Sequence, residues 1–195
     1  MKSKGIGASL RQNTQEGWDY IKESKRYIGG SALLFFACIF IGFIFADSLT
    51  ILNHLIADMR ESVSGLQGTD LSTMIFFSNT RSAFFSLFLG IILGIFSVTN
   101  IILNGTLIGY VIHTLWIDGG ILHVWKLFPH GIFELPALCI SWGLGIKLGM
   151  FIFSKYEGKE LKRRFIGSIK AFIFIVIPLL LIAGIIEGTL ITLLT

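Results

Sequence analysis

The sequence predicts an all-α membrane protein, a polytopic bundle of about five membrane-spanning helices with one amphipathic helix on its outer surface. Three observations lead to this fold class. Apolar residues make up 53% of the 195-residue chain and charged residues only 14%, against about 25% charged residues in ordinary soluble domains. The apolar residues form long uninterrupted runs. The charged residues between these runs are sorted by sign along the chain, which indicates an orientation in the membrane.

Two basic segments and one acidic segment define the expected path. The first 26 residues form a basic segment that we expect in the cytoplasm, and residues 27–195 form a single transmembrane domain. A second basic segment lies at 155–164, whereas the segment 47–80 is acidic. Because cytoplasmic loops retain Lys and Arg, both basic segments are expected inside the cell. The chain is therefore expected to be a multi-pass protein of the cell membrane with a cytoplasmic N-terminus and an outer C-terminus.

A spanning helix needs about 20 apolar residues, and five runs approach that length. The expected crossings are approximately 28–46, 82–99, 101–117, 132–153 and 168–194. Four crossings between the two basic segments return the chain to the same side, whereas a re-entrant segment at 101–117 would separate them. The tight connection between the second and third crossings is expected near Thr99–Asn100. Pro178 is expected to kink the last crossing.

The acidic segment also contains an amphipathic pattern. Apolar residues recur at helical spacing between charged ones, as expected for a helix that lies on the membrane surface. The outer interfacial helix is predicted at about 51–66, with the apolar positions Leu52, Leu55, Ile56, Met59, Val63 and Leu66.

Glycine pairs at GxxxG spacing occur in four of the five predicted crossings. Small residues let helix backbones approach closely in a bilayer, where lipid provides no hydrophobic drive for helix association. The pairs are Gly90 and Gly94, Gly105 and Gly109, Gly145 and Gly149, and Gly184 and Gly188. They predict a compact bundle, and we expect it to pair as a homodimer.

Ionisable residues within apolar runs are the candidate site residues, because a charge in hydrocarbon costs several kcal/mol and needs a partner. They are Arg81, His113, His130, Glu134 and Glu187, and the expected topology places them at a similar depth in the outer third of the bilayer. His130 and Glu134 are four residues apart, so they share one helix face. Together they can hold a proton or a metal, or Arg81 can neutralise Glu134 or Glu187.

Other polar residues in the apolar runs have simpler expected roles. Lys147 is expected to extend its ammonium group to the cytoplasmic interface. Asn100 and Asn104 are expected to satisfy backbone groups at the tight inner turn. Metal binding is disfavoured because the sequence contains no HExxH motif and only one pair has ligand spacing. We expect no metal or other cofactor.

Three motifs resemble the stage II sporulation protein M family. They are Phe76-Phe77-Ser78-Asn79-Thr80-Arg81, then Asn104-Gly105, and then Phe128-Pro129-His130-Gly131-Ile132-Phe133-Glu134-Leu135-Pro136-Ala137. The positions shared with the family pattern are Asn79, Asn104, Gly105, Pro129, His130, Gly131 and Glu134. The resemblance implies a small integral membrane protein with about five helices. In endospore-forming bacteria the namesake recruits and holds peptidoglycan-degrading partners, and relatives also occur in bacteria and archaea that make no spores.

The sequence and the resemblance favour a non-enzymatic scaffold or partner subunit of a membrane assembly. Its expected partners are the lipid bilayer and other membrane or envelope proteins. Nucleic acid is not expected, because the basic excess lies beside the membrane, where it suits anionic headgroups. The first alternative is a transporter or channel component with an intramembrane polar site of His130, Glu134, Arg81 and Glu187. The second is a metal-dependent intramembrane hydrolase that uses His130 and Glu134.

Overall fold

The computed structural model describes residues 6–49, 51–63, 66, 68–120 and 128–194. These described residues form α-helices and short 3₁₀ or π-helical turns, and they contain no β-strand. The helices are α1 (Ile6–Glu23), α2 (Lys25–Ile44), α3 (Leu52–Val63), α4 (Gly68–Leu89), α5 (Ile95–Gly119), α6 (Phe128–Gly149), α7 (Glu157–Ala171) and α8 (Ile177–Leu194). The all-α fold class predicted from the sequence is confirmed.

Four helical stretches in the described part of the chain are long and apolar enough to cross a membrane. They are Lys25–Ile44, Ile95–Gly119, Gly131–Phe153 and Gly158–Ile186. They contain α2, α5, most of α6 with the 3₁₀ turn that follows it, and most of the joined α7 and α8. Helix α4 has 22 residues and packs along α6 and α8. The chain is therefore a helical membrane bundle.

Helix α6 is the centre of this bundle, in contact with α2, α4, α5 and α8. Its side chains Trp142, Leu144 and Leu148 are fully buried. The Trp142 ring lies against the buried Phe35 ring of α2, with 5.0 Å between the ring centroids. Apolar side chains on the outer surfaces of the other helices, such as Leu33 of α2, are exposed to the surroundings, as expected where lipid is the solvent.

The connection between α4 and α5 differs in position from the expected one. Helix α4 ends at Leu89 and α5 begins at Ile95, so Thr99 and Asn100 lie inside α5. Leu93 and Gly94 have positive φ angles of 54° and 73°, and glycine adopts this left-handed conformation without steric cost. The intervening residues are mostly apolar, so the apolar run continues across the turn. Hydropathy alone could not reveal where the helix ends.

The last helical stretch begins earlier than expected and changes geometry near Pro178. Helices α7 and α8 are joined by a π-helical turn at Phe172–Val176. Pro178 has no N–H, and its ring clashes with the carbonyl four residues earlier, which belongs to Phe174 in the middle of this turn. The wider π-helical turn accommodates that clash. The distortion expected at Pro178 thus takes the form of a π bulge.

Helix α3 lies within the range predicted for the outer amphipathic helix, 51–66. Tyr110 of α5 donates a hydrogen bond to the Asn53 side chain of α3. This bond ties α3 to the end of the bundle where α2 finishes.

Candidate functional site

The predicted ionisable residues do not share one depth. Arg81 is exposed on α4, eight residues before Leu89, so it lies about 12 Å from the α4–α5 turn at the helical rise per residue. His113 lies eighteen residues after Ile95, about 27 Å from the same turn. The expected common depth assumed a crossing that begins at residue 82, whereas α4 begins at Gly68. Arg81 is therefore much closer to the turn than His113.

Glu134 is half-buried on α6 and has an interaction partner. Among the described side chains, the ion pairs do not include one between Arg81 and Glu134. The side chains of Pro129, His130 and Glu187, and the surroundings of Gly188, lie outside the described part. The pairings predicted for His130 and Glu187 therefore stay predictions. The residues that are described contain no group of three His, Cys, Asp or Glu side chains able to hold a metal ion.

His113 lines an open pocket at the end of the bundle near α3. The pocket has a volume of about 220 Å³, and its polar lining includes Asp47, Tyr110, His113 and Asp118. The His113 ring lies edge-on to Phe43, with 5.4 Å between the ring centroids. This pocket presents a histidine and two carboxylates on the surface of that end.

A different polar cluster forms at the opposite end, around Lys147 of α6. The Lys147 side chain is only 5% exposed. Its Nζ donates hydrogen bonds of 2.9 Å to Glu23 Oε1 and of 2.9 Å to Ser24 Oγ. The same nitrogen lies 4.0 Å from the centroid of the Tyr20 ring, within range of a cation–π interaction. Lys147 thus binds within the protein, in contrast to the expected extension to the interface.

Arginines of α7 complete this Lys147 cluster. Arg163 donates to both carboxylate oxygens of Glu23 at 2.9 Å and to Glu160 at 2.7 Å. Arg164 donates to Glu160 at 2.9 Å and to the backbone carbonyl of Lys147. Charge-assisted hydrogen bonds of this kind are stronger than neutral ones. The cluster therefore fastens α1 and α7 to the central helix α6.

Glycines allow α1 and α7 to approach closely enough for these contacts. A Cβ atom at Gly17 of α1 would lie 3.1 Å from backbone atoms of Lys170 and Ala171. A Cβ atom at Gly167 of α7 would lie 2.7 Å from the Tyr20 ring. Lys170 also pairs with Glu16 of α1. The two helices are thus held along their length by packing and by ion pairs.

The cluster shifts the pKa values of two groups on α1. Partial burial raises the pKa of Glu23, but the hydrogen bonds and charges of Lys147 and Arg163 outweigh it, so the pKa of this carboxyl lies below its usual value. Burial raises the pKa of Tyr20 to about 12, although Ser168 and Arg163 oppose this shift. Glu23 is therefore ionised and Tyr20 neutral at physiological pH.

A second polar group joins three helices inside the bundle. Asn100 Oδ1 accepts hydrogen bonds from Trp142 Nε1 at 2.8 Å and from Asn104 Nδ2 at 3.0 Å. Asn100 Nδ2 donates to Ser82 Oγ at 3.4 Å. These bonds connect α4, α5 and α6. Asn104 Nδ2 also donates to the Asn100 backbone carbonyl at 2.9 Å, so the expected bond to a backbone group forms, but inside α5 and not at the turn. The other bonds of Asn100 and Asn104 join side chains within the bundle.

The predicted glycine pairs lie at close helix contacts within the chain. A Cβ atom at Gly149 would lie 2.2 Å from the Gly94 nitrogen, and one at Gly90 would lie 2.6 Å from the Gly145 carbonyl oxygen. On α5, a Cβ atom at Gly109 would lie 2.1 Å from an α2 carbonyl. The other described pair members also face neighbouring helices: a Cβ at Gly105 would meet Cys38, and one at Gly184 would meet Ser72 and Phe76.

The Lys147 cluster was not predicted from the sequence. A signal was present on α1 and the residue after it, where Gly17, Tyr20, Ile21 and Ser24 are buried and recur at helical spacing. This spacing indicates that α1 packs against protein. Glu23 and Lys147 are 124 residues apart, however, and their pairing could not be read from one sequence.

Comparison with known proteins identifies the family of this chain. The family model described as Stage II sporulation protein M matches residues 31–191, which include all of α3 to α7. The chain belongs to the stage II sporulation protein M family. The matched residues include Lys147 and Arg163, whereas Tyr20 and Glu23 precede them in the chain.

One relative matches about half of the chain. An uncharacterized protein of Methanocaldococcus jannaschii is 32% identical over 106 residues. The matched region covers 52% of this chain and 48% of the relative. The chain therefore spans about half the length of that protein. No solved structure matches the chain.

Proposed function

We propose that this protein is a non-enzymatic scaffold or partner subunit of a larger membrane assembly. The main support for this proposal is that polar side chains inside the bundle bind one another. Asn100, Asn104 and Trp142 bind one another across helices, and Lys147 binds Glu23 and Ser24. Polar groups that bind one another between helices stabilise a fixed shape. A fixed shape suits a protein that holds partners in place.

Helix α3 is the proposed docking element for a partner protein. It is amphipathic, and its Asn53 is fixed to Tyr110 of α5. It follows the end of α2, a helix of 20 residues that spans about 30 Å. The docking element therefore lies at the end of the bundle remote from the Lys147 cluster.

The proposed topology has five crossings, a cytoplasmic N-terminus and an outer C-terminus. Helices α1 and α7 carry basic residues and are joined by the Glu23–Arg163 and Glu16–Lys170 pairs, so they share one side of the membrane. An even number of crossings must separate them. Since α2, α5 and α6 supply three, we assign the fourth to α4. Helix α8 is the fifth.

Thiol labelling in intact cells tests this topology. In a variant without Cys38 and Cys139, a cysteine at Lys159 should be protected from a membrane-impermeant reagent, and a cysteine at Thr69 should be labelled. Both native side chains are exposed in the structure, so burial within the protein does not explain a difference between them. Labelling of residue 159 from outside would contradict the five-crossing path.

Site-specific photo-cross-linking tests the scaffold role. A benzophenone side chain at Ala57, which is exposed on α3, should yield a discrete protein adduct in the native membrane. The matched control is the same probe at Leu33, an exposed apolar position on α2, which should react with lipid and give no protein adduct. The absence of an adduct at Ala57, in cells that produce the protein at its natural level, would contradict docking through α3.

A transporter component is the second candidate, because the pocket at His113 presents ionisable groups at one end of the bundle. Proteoliposomes distinguish the two functions. A scaffold should leave proton and cation flux at the rate of protein-free vesicles. Flux well above that rate, reduced by His113→Ala, would favour transport over the scaffold.

A further inference from the structure

We propose that one end of the bundle binds anionic phospholipid headgroups of the membrane in which the protein lies. The surface is formed by exposed basic residues of the start of α2 and of the α6–α7 region. We call it the basic face, and it consists of Lys25, Arg26, Lys155, Lys159 and Lys162. It lies at the end remote from α3, so it is separate from the proposed docking element.

Four carboxylates near this surface, among the side chains that the structure describes, are already paired with other basic residues. Glu16 pairs with Lys170, Asp19 with Lys22, Glu23 with Lys147 and Arg163, and Glu160 with Arg163 and Arg164. Within the described side chains, none of these ion pairs includes a residue of the basic face. Glu157 lies in the same segment, and its side chain is outside the described part of the chain. Its single negative charge leaves the five basic residues of the face with a net positive charge, which fits an anionic partner.

Three lysines of this face lie on α7 or just before it, and we call them the lysine row. Lys159 and Lys162 are three residues apart on α7, which places them on one side of the helix. Lys155 lies two residues before α7 begins, and all three side chains are exposed. Glu160 and Arg164 of α7 instead face the Lys147 cluster. Packing of α7 on the bundle thus leaves the lysine row on the outside.

The basic face lies where the membrane-spanning stretches end. Lys25 and Arg26 begin the spanning stretch of α2, and Lys155 follows the stretch that ends at Phe153. Exposed aromatic rings lie beside these cations: Tyr156 is 64% exposed, with Lys155 Nζ 5.8 Å from its ring centroid.

Trp18 of α1 repeats this arrangement. It is 47% exposed, and Lys22 Nζ lies 6.0 Å from its ring centroid. Aromatic rings with adjacent basic residues are typical of the lipid headgroup layer. This combination favours a phospholipid headgroup over an acidic protein segment as the occupant.

Quenching of Trp18 fluorescence measures this binding directly. The full-length protein in neutral detergent micelles is titrated with brominated phosphatidylglycerol or with brominated phosphatidylcholine, since bromine quenches tryptophan on contact. The chain has four tryptophans, so a Trp18→Phe variant measured in parallel isolates the Trp18 signal. Phosphatidylglycerol should reach half-maximal quenching at a mole fraction at least tenfold lower than phosphatidylcholine.

Substitution of the lysine row tests which residues create the selectivity. Each basic residue near an anionic surface contributes about fivefold in affinity. The triple variant Lys155→Gln, Lys159→Gln, Lys162→Gln should therefore reduce the preference for phosphatidylglycerol at least tenfold. The matched control changes the same three lysines to arginine and should keep the preference. Unchanged circular dichroism of both variants verifies that the helices are intact.

Two results would overturn the proposal. Equal quenching by the two lipids would mean that the basic face does not select anionic headgroups, and an acidic protein would become the better occupant. Complete displacement of phosphatidylglycerol by millimolar inorganic phosphate would identify a site for free phosphate. Neither result depends on cross-linking at α3, so failure of this inference is distinguishable from failure of the scaffold proposal.

Discussion

The substitution Glu23→Ala should lower the free energy of unfolding by about 3 kcal/mol or more, because it leaves the Lys147 ammonium buried without its carboxylate partner. The Lys147 side chain is 5% exposed, whereas that of Glu23 is 47% exposed. The cost of breaking this pair therefore depends on which partner is removed. Unfolding of the detergent-solubilised protein by a denaturing surfactant, followed by circular dichroism, measures the change.

Lys147→Met should have a much smaller effect than Glu23→Ala. It replaces the buried charge with an apolar side chain of similar length, and Glu23 keeps its contacts with Arg163. Replacing a buried ion by a well-packed apolar group is often close to neutral. Adding Lys147→Met to Glu23→Ala should consequently restore most of the lost stability, since no unpaired charge remains.

Asp19→Ala provides the matched control for this prediction. Asp19 also pairs with a lysine of the same region, but in the Asp19–Lys22 pair both side chains are more than half exposed. Exposed pairs contribute about 0–1 kcal/mol. Equal losses of stability in Asp19→Ala and Glu23→Ala would show that the Lys147 cluster does not hold a buried charge.

The substitution Gly149→Ala should destabilise the bundle by about 1–3 kcal/mol, a typical cost of inserting a methyl group into a closely packed contact. The new Cβ atom would lie 2.2 Å from the Gly94 nitrogen and 2.4 Å from the Gly90 carbonyl oxygen. Both are backbone atoms, so relief requires α6 to move away from the α4–α5 turn. Thermal unfolding in detergent, together with the surfactant titration, measures the loss.

Gly30→Ala should change stability in the opposite direction. Gly30 lies within α2, and a Cβ atom there would meet nothing within 4 Å. Alanine is favoured over glycine in a helix by about 1 kcal/mol, so this variant should be as stable as the native protein or more so. Similar losses at positions 30 and 149 would contradict a specific contact between α6 and the turn.

The sequence was sufficient for the membrane class, because a long apolar run has few alternatives to a spanning helix. It did not locate the end of α4, because apolar residues can either continue a spanning helix or form a turn within the membrane. Ile91, Ile92 and Leu93 continue the apolar run but form a turn. Helix α4 therefore ends at Leu89, before the expected end at 99, and Arg81 lies within the helix and not at its start. The turn follows from the positive φ angles at Leu93 and Gly94, which composition does not report.

The candidate site was harder to predict because it depends on pairing between distant segments. Lys147 was recognised as an ionisable residue near a helix end, and extension to the interface is the common outcome there. Its burial results from the approach of α1 and α7, which Gly17 and Gly167 permit. Asn100 likewise reaches Trp142, 42 residues away. Local spacing does not identify the partner residue in either contact.

The apolar α4–α5 turn has a consequence for the order in which the protein assembles. The last part of α4, from Ser82 onward, is largely apolar and continues through this turn into α5, so these segments can enter the bilayer together before α6 is made. They then present Gly90 and Gly94 as a preformed surface for Gly145 and Gly149 of α6. The Arg163 contacts that complete the Lys147 cluster come from α7, later in the chain. Helix α1 is made before the other described helices, yet it is therefore among the last of them to be fully secured.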